Sequence, residues 1–147
     1  MDEIDRTILR LLRENSRISN LELSRKVNLV PSAVHKRLCK LENEKIISDY
    51  TLRLDHARVG LNMNVLINVV TSESVGTTAI GEKLAAFPEI CDVFDVAGNT
   101  SYIVRAVVKD TAGLNDLIIR MGKIPGIMRT QTTLIMNILK NELSPEI

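Results

Sequence analysis

The first third of the chain carries apolar residues at the spacing expected for three helices. One face of a first helix holds Ile4, Ile8, Leu11 and Leu12, and Asp2 is placed to cap it. An S-x-x-E capping box begins at Ser19 and predicts a second helix over residues 20–27. Pro31 suits the first position of a third helix, predicted over about 31–44. The buried stripe of that helix is Val34, Leu38 and Leu41.

The short turn Asn28–Val30 gives these helices the organisation of a helix-turn-helix. Such a unit joins two helices by a turn of three or four residues, and its second helix lies in the DNA major groove. The alternating residues Tyr50–Leu54 predict a short strand or wing after it. A generic three-helix core without DNA binding is the alternative that the pattern leaves open.

The second part of the chain changes to strands with a period of two, separated by helices. Strands are predicted at Leu61–Val70, Val93–Ala97, Tyr102–Val108 and Gln131–Leu139. Helices are predicted over about 76–87 and around Leu114–Met121. The order β-α-β-β-α-β is that of the ferredoxin-like plait. The expected fold class is therefore α+β, with a winged helix-turn-helix in residues 1–54, a connector at 55–60 and the plait in 61–147.

The predicted strands are apolar on both faces, although the two helices of a plait cover only one. In the last strand, Leu134, Met136 and Ile138 alternate with Ile135 and Leu139. A lone plait would expose an apolar patch that soluble monomers avoid. We therefore expect a homodimer that buries the open face by two-fold symmetry.

The small formal net charge of +1 hides a basic segment. Residues 17–40 contain six Lys and Arg residues and a single acid, Glu22, which is typical of a surface that meets a polyanion. On charge alone, a solvated helix surface is the simpler interpretation. The candidate DNA-contacting residues are Ser32, Ala33, His35, Lys36, Arg37 and Lys40 of the third helix, with Arg17 and Arg25.

Composition narrows the other classes of function. Apolar runs are too short to cross a bilayer and the N-terminus is acidic, so we expect a cytoplasmic protein without a membrane partner. Cys39 and Cys91 lie far apart, and neither they nor His35 and His56 have the spacing of metal ligands. The phosphate-binding and nucleophile motifs of common enzymes are absent from the sequence. We expect neither catalysis nor a cofactor.

Short motifs occur in a fixed order along nearly the whole chain. In the N-terminal part they include Asp5-Arg6, Arg17-Ile18-Ser19, Leu29-Val30-Pro31-Ser32, Leu41-Glu42 and Tyr50-Thr51. In the C-terminal part they include Val96-x-Gly98, Tyr102, Val107-Val108-Lys109-Asp110 and Thr130-x-Thr132. This ordered set resembles the Lrp/AsnC family of bacterial and archaeal transcription regulators. The resemblance implies dimers, often assembled into tetramers or octamers. It also implies a small effector, commonly an amino acid, bound where C-terminal modules of neighbouring subunits meet.

Polar groups of one turn and of the last strand are the candidates for holding such an effector. They are Gly98, Asn99, Thr100, Ser101 and Tyr102, with Thr130, Gln131 and Thr132. An ordinary hairpin turn and an edge-strand threonine run explain the same residues without a ligand. The family often has Gly-Asp-x-Asp in this turn, and both carboxylates are missing here. We therefore expect an uncharged amino acid, with an apolar side chain favoured over a cationic one.

A second departure from the family is Val30, where members often have a serine that caps the recognition helix. Valine has no side-chain acceptor, which costs about 1 kcal/mol of local helix stability. The expected function is a sequence-specific DNA-binding regulator that responds to an amino acid. An architectural DNA-binding protein without an effector is one alternative. A ligand-binding plait whose helical domain docks a protein is the other.

Overall fold

A computed structural model describes residues 1–142 and residue 144. The chain divides into two compact units, Met1–Arg53 and Leu54–Lys140, and the described residues after Lys140 group with the first. Within the described residues, no helix is both long and apolar enough to span a membrane.

The first unit contains three helices: α1 (Glu3–Glu14), α2 (Asn20–Val27) and α3 (Pro31–Asn43). Two capping boxes set where α1 and α2 begin, because Asp2 and Ser19 each accept a backbone hydrogen bond three residues on. Asn28 adopts a left-handed conformation with φ 54° and ends α2. The helices enclose a core of Ile8, Leu12, Leu23, Val34 and Leu38. The predicted three-helix arrangement is confirmed.

The strand predicted at Tyr50–Leu54 is wrong, because these residues have no regular secondary structure. All five are exposed, and Leu52 retains 79% of its accessible surface. Alternation marks a strand only when a neighbouring strand supplies backbone partners. No strand of the described chain pairs with this segment.

The second unit is a four-stranded antiparallel sheet with two helices. After a short 3₁₀ turn at Ala57–Val59, its elements are β1 (Met63–Thr71), α4 (Ala79–Ala85), β2 (Ile90–Asp95), β3 (Tyr102–Val108), α5 (Thr111–Gly122) and β4 (Ile127–Leu134). The strand order is β2-β3-β1-β4, which is the ferredoxin-like topology predicted from the sequence. The core between sheet and helices contains Val65, Ile67 and Val69 of β1 and Leu84, Leu117 and Met121 of the helices.

The bounds of two elements differ from the predicted ones for identifiable reasons. β4 spans Ile127–Leu134 instead of 131–139, because Leu134 pairs with Val65 close to the start of β1. Beyond that pair, Ile135 still donates a hydrogen bond to Asn64, and β1 begins one residue before Asn64, at Met63. α4 begins at Ala79 instead of 76, because Gly76 has a positive φ of 87° that a helix does not accommodate.

The corrected bounds of β4 change which residues of the last strand lie on the face away from the helices. Met136 and Ile138 lie beyond β4, so they do not form an apolar stripe on the sheet. The cross-strand pairs instead place Arg129, Gln131 and Thr133 on the helix-free face. The apolar residues of that face come from the other strands, namely Leu66, Val70, Phe94, Ile103 and Val107.

Candidate functional site

The outward surface of α3 carries most of the residues proposed to contact DNA. Ser32, His35, Lys36 and Lys40 are exposed, and Ala33 is half-buried. The opposite side of the helix buries Val34, Leu38 and Leu41. Arg17 and Arg25 are exposed elsewhere in the same unit. One face of α3 therefore combines cations with small hydrogen-bonding groups, as a major-groove helix requires.

Arg37 lies on α3 but has a different environment from the lysines. Its Nη1 is 2.7 Å from Asp2 Oδ2 and 2.6 Å from Asp5 Oδ1. The backbone N–H of Asp2 and the Arg37 guanidinium hold the pKa of Asp5 below its usual value. The two carboxylates in turn raise the pKa of Arg37. The guanidinium predicted to contact DNA thus connects α3 to the N-terminus of α1.

A pocket of about 420 Å³ opens in the second unit where β1 ends and β3 begins. Four of the predicted effector residues line it: Gly98, Thr100, Ser101 and Tyr102. Asn99 is exposed and does not contribute to the lining. Thr130, Gln131 and Thr132 are on β4, separated from β3 by the whole width of β1. The structure therefore brings together only half of the predicted set within one chain.

The hydroxyl groups of the turn are already used in hydrogen bonds to the strands. Thr100 Oγ1 lies 2.8 Å from the Val69 carbonyl oxygen, to which it donates. Ser101 Oγ accepts from the Thr71 backbone N–H at 3.1 Å. These bonds fix the turn against β1, so the neutral groups that the sequence offered to a ligand mainly shape the pocket.

Two carboxylates of the pocket were missed by the sequence analysis. Glu73 and Asp95 both line it, beside the apolar residues Val75, Val96 and Ala97. Glu73 follows β1 in a loop, and Asp95 ends β2. No periodicity or motif singles them out, and the only available signal was the position of each acid at the end of a strand.

Glu73 is held by two donors. Tyr102 donates its hydroxyl hydrogen bond to Glu73 Oε2 at 2.7 Å, and the Ile80 backbone N–H donates to Oε1 at 3.1 Å. The Tyr102 hydroxyl lowers the pKa of Glu73. Burial and the Glu73 charge raise the pKa of Tyr102 to about 12. At neutral pH, Glu73 is therefore an anion and Tyr102 a neutral donor.

Tyr102 reaches this position because Gly81 leaves room for its ring. A Cβ atom built on Gly81 would lie 2.7 Å from Tyr102 Cε1. The glycine thus lets α4 approach the aromatic ring that closes one side of the pocket.

Comparisons with known proteins decide the family. Residues 1–42 match the AsnC-type helix-turn-helix domain, and residues 64–145 match the Lrp/AsnC ligand binding domain. The chain belongs to the Lrp/AsnC family. It is a DNA-binding transcription regulator of this type, and the resemblance inferred from the sequence is confirmed.

Curated relatives extend over almost the full length of this regulator. An uncharacterised HTH-type transcriptional regulator of Pyrococcus horikoshii is 34% identical over 141 residues, covering 95% of this chain and 89% of the relative. The transcriptional regulator AzlB of Bacillus subtilis is 31% identical over 147 residues, covering 98% and 94%.

A solved structure agrees with the fold. A transcriptional regulator from Neisseria meningitidis, solved in complex with L-Met, is 26% identical with a TM-score of 0.92, covering 99% of this chain and 96% of the other.

Proposed function

We propose that this regulator senses an uncharged amino acid in the pocket between the end of β1 and the start of β3. The observation that carries the proposal is the lining of that pocket, where carboxylates stand beside a small apolar surface. The similar Neisseria meningitidis regulator was solved with L-Met, an amino acid of this class.

Asp95 is the group that suits the ammonium of an amino acid. Glu73 already accepts from Tyr102 and Ile80, whereas Asp95 is exposed at the pocket and has no ion pair among the described residues. Asp95 matches the ammonium of one amino acid, and the Glu73 oxygens are each already occupied by a hydrogen bond. Val75, Val96 and Ala97 offer apolar contact to the rest of the ligand. These apolar contacts favour an apolar effector. The electrostatic reason inferred from the sequence does not hold, because the pocket contains the carboxylates of Glu73 and Asp95.

Residues of β4 enter the proposal through a second subunit. Thr130, Gln131 and Thr132 do not reach the pocket of their own chain, so a contribution from them has to come from a neighbouring subunit. Of the three, Gln131 lies on the helix-free face. The half-exposed Phe94 and its neighbour Ile103 mark the helix-free face as the surface for a homodimer. We include tetramers and octamers built from such dimers in the proposal. We assign binding and no catalysis to this protein, and we place it in the cytoplasm.

DNA binding is assigned to the outward face of α3, with Ser32, Ala33, His35, Lys36 and Lys40 as its contacts and Arg17 and Arg25 at its margins. The clustered cations neutralise phosphates, and the small polar groups approach base edges. Arg37 borders the same surface, because it lines one pocket with Lys36 and Lys40. Its pairs with Asp2 and Asp5 attach it to the start of α1.

Calorimetry against the twenty amino acids tests the effector. We expect an apolar amino acid to bind best. Asp95→Asn should lower the affinity for this amino acid at least ten-fold, whereas Glu82→Gln on the exposed surface of α4 should leave it unchanged. Best binding by lysine or arginine would contradict the choice of ligand. If no amino acid binds and DNA binding persists, the architectural function replaces the sensor.

Light scattering tests the assembly. Phe94→Glu should dissociate the homodimer, whereas Ile119→Glu should not, because Ile119 lies on α5 with the same exposed fraction of 52%. If assembly changes the affinity for the effector by some factor, the effector must shift the assembly equilibrium by the same factor. A monomeric unmodified protein at micromolar concentration would contradict this part of the proposal.

A further inference from the structure

Val30 is an apolar residue at a position where helices favour a polar one. It is the N-cap of α3, where serine, threonine, aspartate and asparagine are preferred. Its side chain makes no capping hydrogen bond and keeps 64% of its accessible surface. It also lies outside the core formed by Ile8, Leu23 and Val34. Within the isolated protein, the valine neither caps the helix nor packs in the interior.

The position of Val30 is the leading end of the recognition helix. In a helix-turn-helix, the N-terminal residues of the second helix approach the base edges. Ser32 follows two residues later and is exposed, and the exposed Lys36 lies one further turn along α3. The surrounding charge favours a polyanion over an apolar protein partner. Val30 is therefore directed at DNA together with its polar neighbours.

The chemistry of the side chain limits what it can recognise there. Valine has no donor or acceptor, so it reads no hydrogen-bonding edge and neutralises no phosphate. In the major groove, thymine presents a C5-methyl group, and apolar side chains contact it. A thymine methyl is the group of unmodified DNA that matches an exposed valine at this position.

We propose that Val30 packs against the 5-methyl group of a thymine in each half-site and is a specificity-determining residue of this regulator. The inference rests on the proposed use of α3 as the recognition helix. It explains why a residue without capping ability occupies the start of that helix. Its side chain is stabilised in the complex with DNA.

Removal of single methyl groups from DNA tests this contact. The full-length protein is first used to select a duplex from a random library, and each thymine is then replaced singly by deoxyuridine. Fluorescence anisotropy gives the affinity of the unmodified protein and of Val30→Ala for each duplex. We expect one thymine in each half-site at which loss of the methyl group lowers the affinity about four-fold, the effect of no longer burying one methyl group. Replacing both should cost about 15-fold.

Combining Val30→Ala with the deoxyuridine duplexes distinguishes loss of the methyl contact from a general effect of the substitution on α3. For Val30→Ala, the same deoxyuridine duplexes should bind within about two-fold of the thymine duplex, since the methyl has lost its partner. Val59→Ala, at an exposed valine of the second unit, should keep the full methyl dependence.

Two outcomes would overturn the proposal. One contradicts the valine contact alone, and the other contradicts DNA binding by α3 as well. If the selected duplex binds with normal salt dependence and no thymine methyl depends on Val30, the contact is absent while α3 remains the recognition helix. If the protein selects no duplex at all, the DNA-binding assignment fails together with the contact.

Discussion

The carboxylate of Asp5 on α1 lies 2.6 Å from the guanidinium of Arg37 on α3. The Asp5 side chain is 4% exposed, and that of Arg37 is 29% exposed. Asp5 also accepts the Asp2 backbone N–H, which completes the capping box of α1. One carboxylate thus caps the N-terminus of the first helix and orients the recognition helix.

This arrangement predicts a loss of stability when Asp5 becomes Asn. The pKa of Asp5 in the folded protein is below its ordinary 3.8, so its stabilisation is present above that pH and is lost as the pH falls further. We expect Asp5→Asn to lower the melting temperature by several degrees at neutral pH. Its free energy of unfolding should also depend less on pH below about 4. Equal acid sensitivity of both proteins in thermal scans would contradict the role of this carboxylate.

Replacing Lys36 and Lys40 with alanine should weaken binding to every duplex. Each lysine is expected to contact one phosphate, so the slope of log affinity against log salt should fall by about 1 for each residue. Ser32→Ala or His35→Ala should instead alter which sequences bind best, because these side chains approach base edges. Anisotropy over a salt series measures both effects. Lys83→Ala in α4 of the second unit is the control, and an unchanged slope in the folded double variant would remove α3 from the interface.

Two glycines give a matched test of packing around the pocket. Gly81→Ala should destabilise the protein by about 1–3 kcal/mol, because the new methyl group collides with the Tyr102 ring. Gly122→Ala, at the end of α5, meets no atom within 4 Å and should stabilise by about 0.4–1 kcal/mol. Chemical denaturation measures both. The interpretation of Gly81 would be wrong if both substitutions had the same sign.

Restoring a capping hydroxyl at Val30 should raise stability. Val30→Ser supplies the side-chain acceptor that α3 lacks and is expected to add about 1 kcal/mol to the free energy of unfolding. Chemical denaturation of the full chain measures this gain. Val30→Ala, which adds no acceptor, is the control. A serine variant no more stable than the alanine variant would show that the helix start gains nothing from a cap.

Local signals allowed much of the fold to be predicted. The start of α2 follows from its capping box, because Ser19 and Glu22 are three residues apart and act without the rest of the chain. The strand β3 has its predicted bounds, Tyr102–Val108, since a clear alternation is confirmed by neighbours on both sides. The start of α2 is decided locally, whereas β3 combines a local pattern with partners in β1 and β2.

The errors occur where distant residues decide the outcome. The end of β4 depends on where β1 begins, about 70 residues earlier in the chain. Glu73 enters the pocket because Tyr102, 29 positions away, donates to it. The pairing of Arg37 with Asp5 spans 32 positions, so no local spacing indicates it, and the DNA contact of Arg37 stays a prediction. Such contacts join residues that are distant in the sequence, so the local spacing of residue types does not indicate them.

The attachment of α3 has a consequence for how operator preference can evolve. The residues that hold this helix are Val34, Leu38 and Leu41 on its buried side and Arg37 against α1. The exposed positions 32, 35, 36 and 40 are not members of that set. Mutations at these positions can change the DNA sequence that is read at little cost to the fold. A duplicated copy of such a gene can acquire new target promoters by a few outward substitutions while its ligand-responsive module remains unaltered.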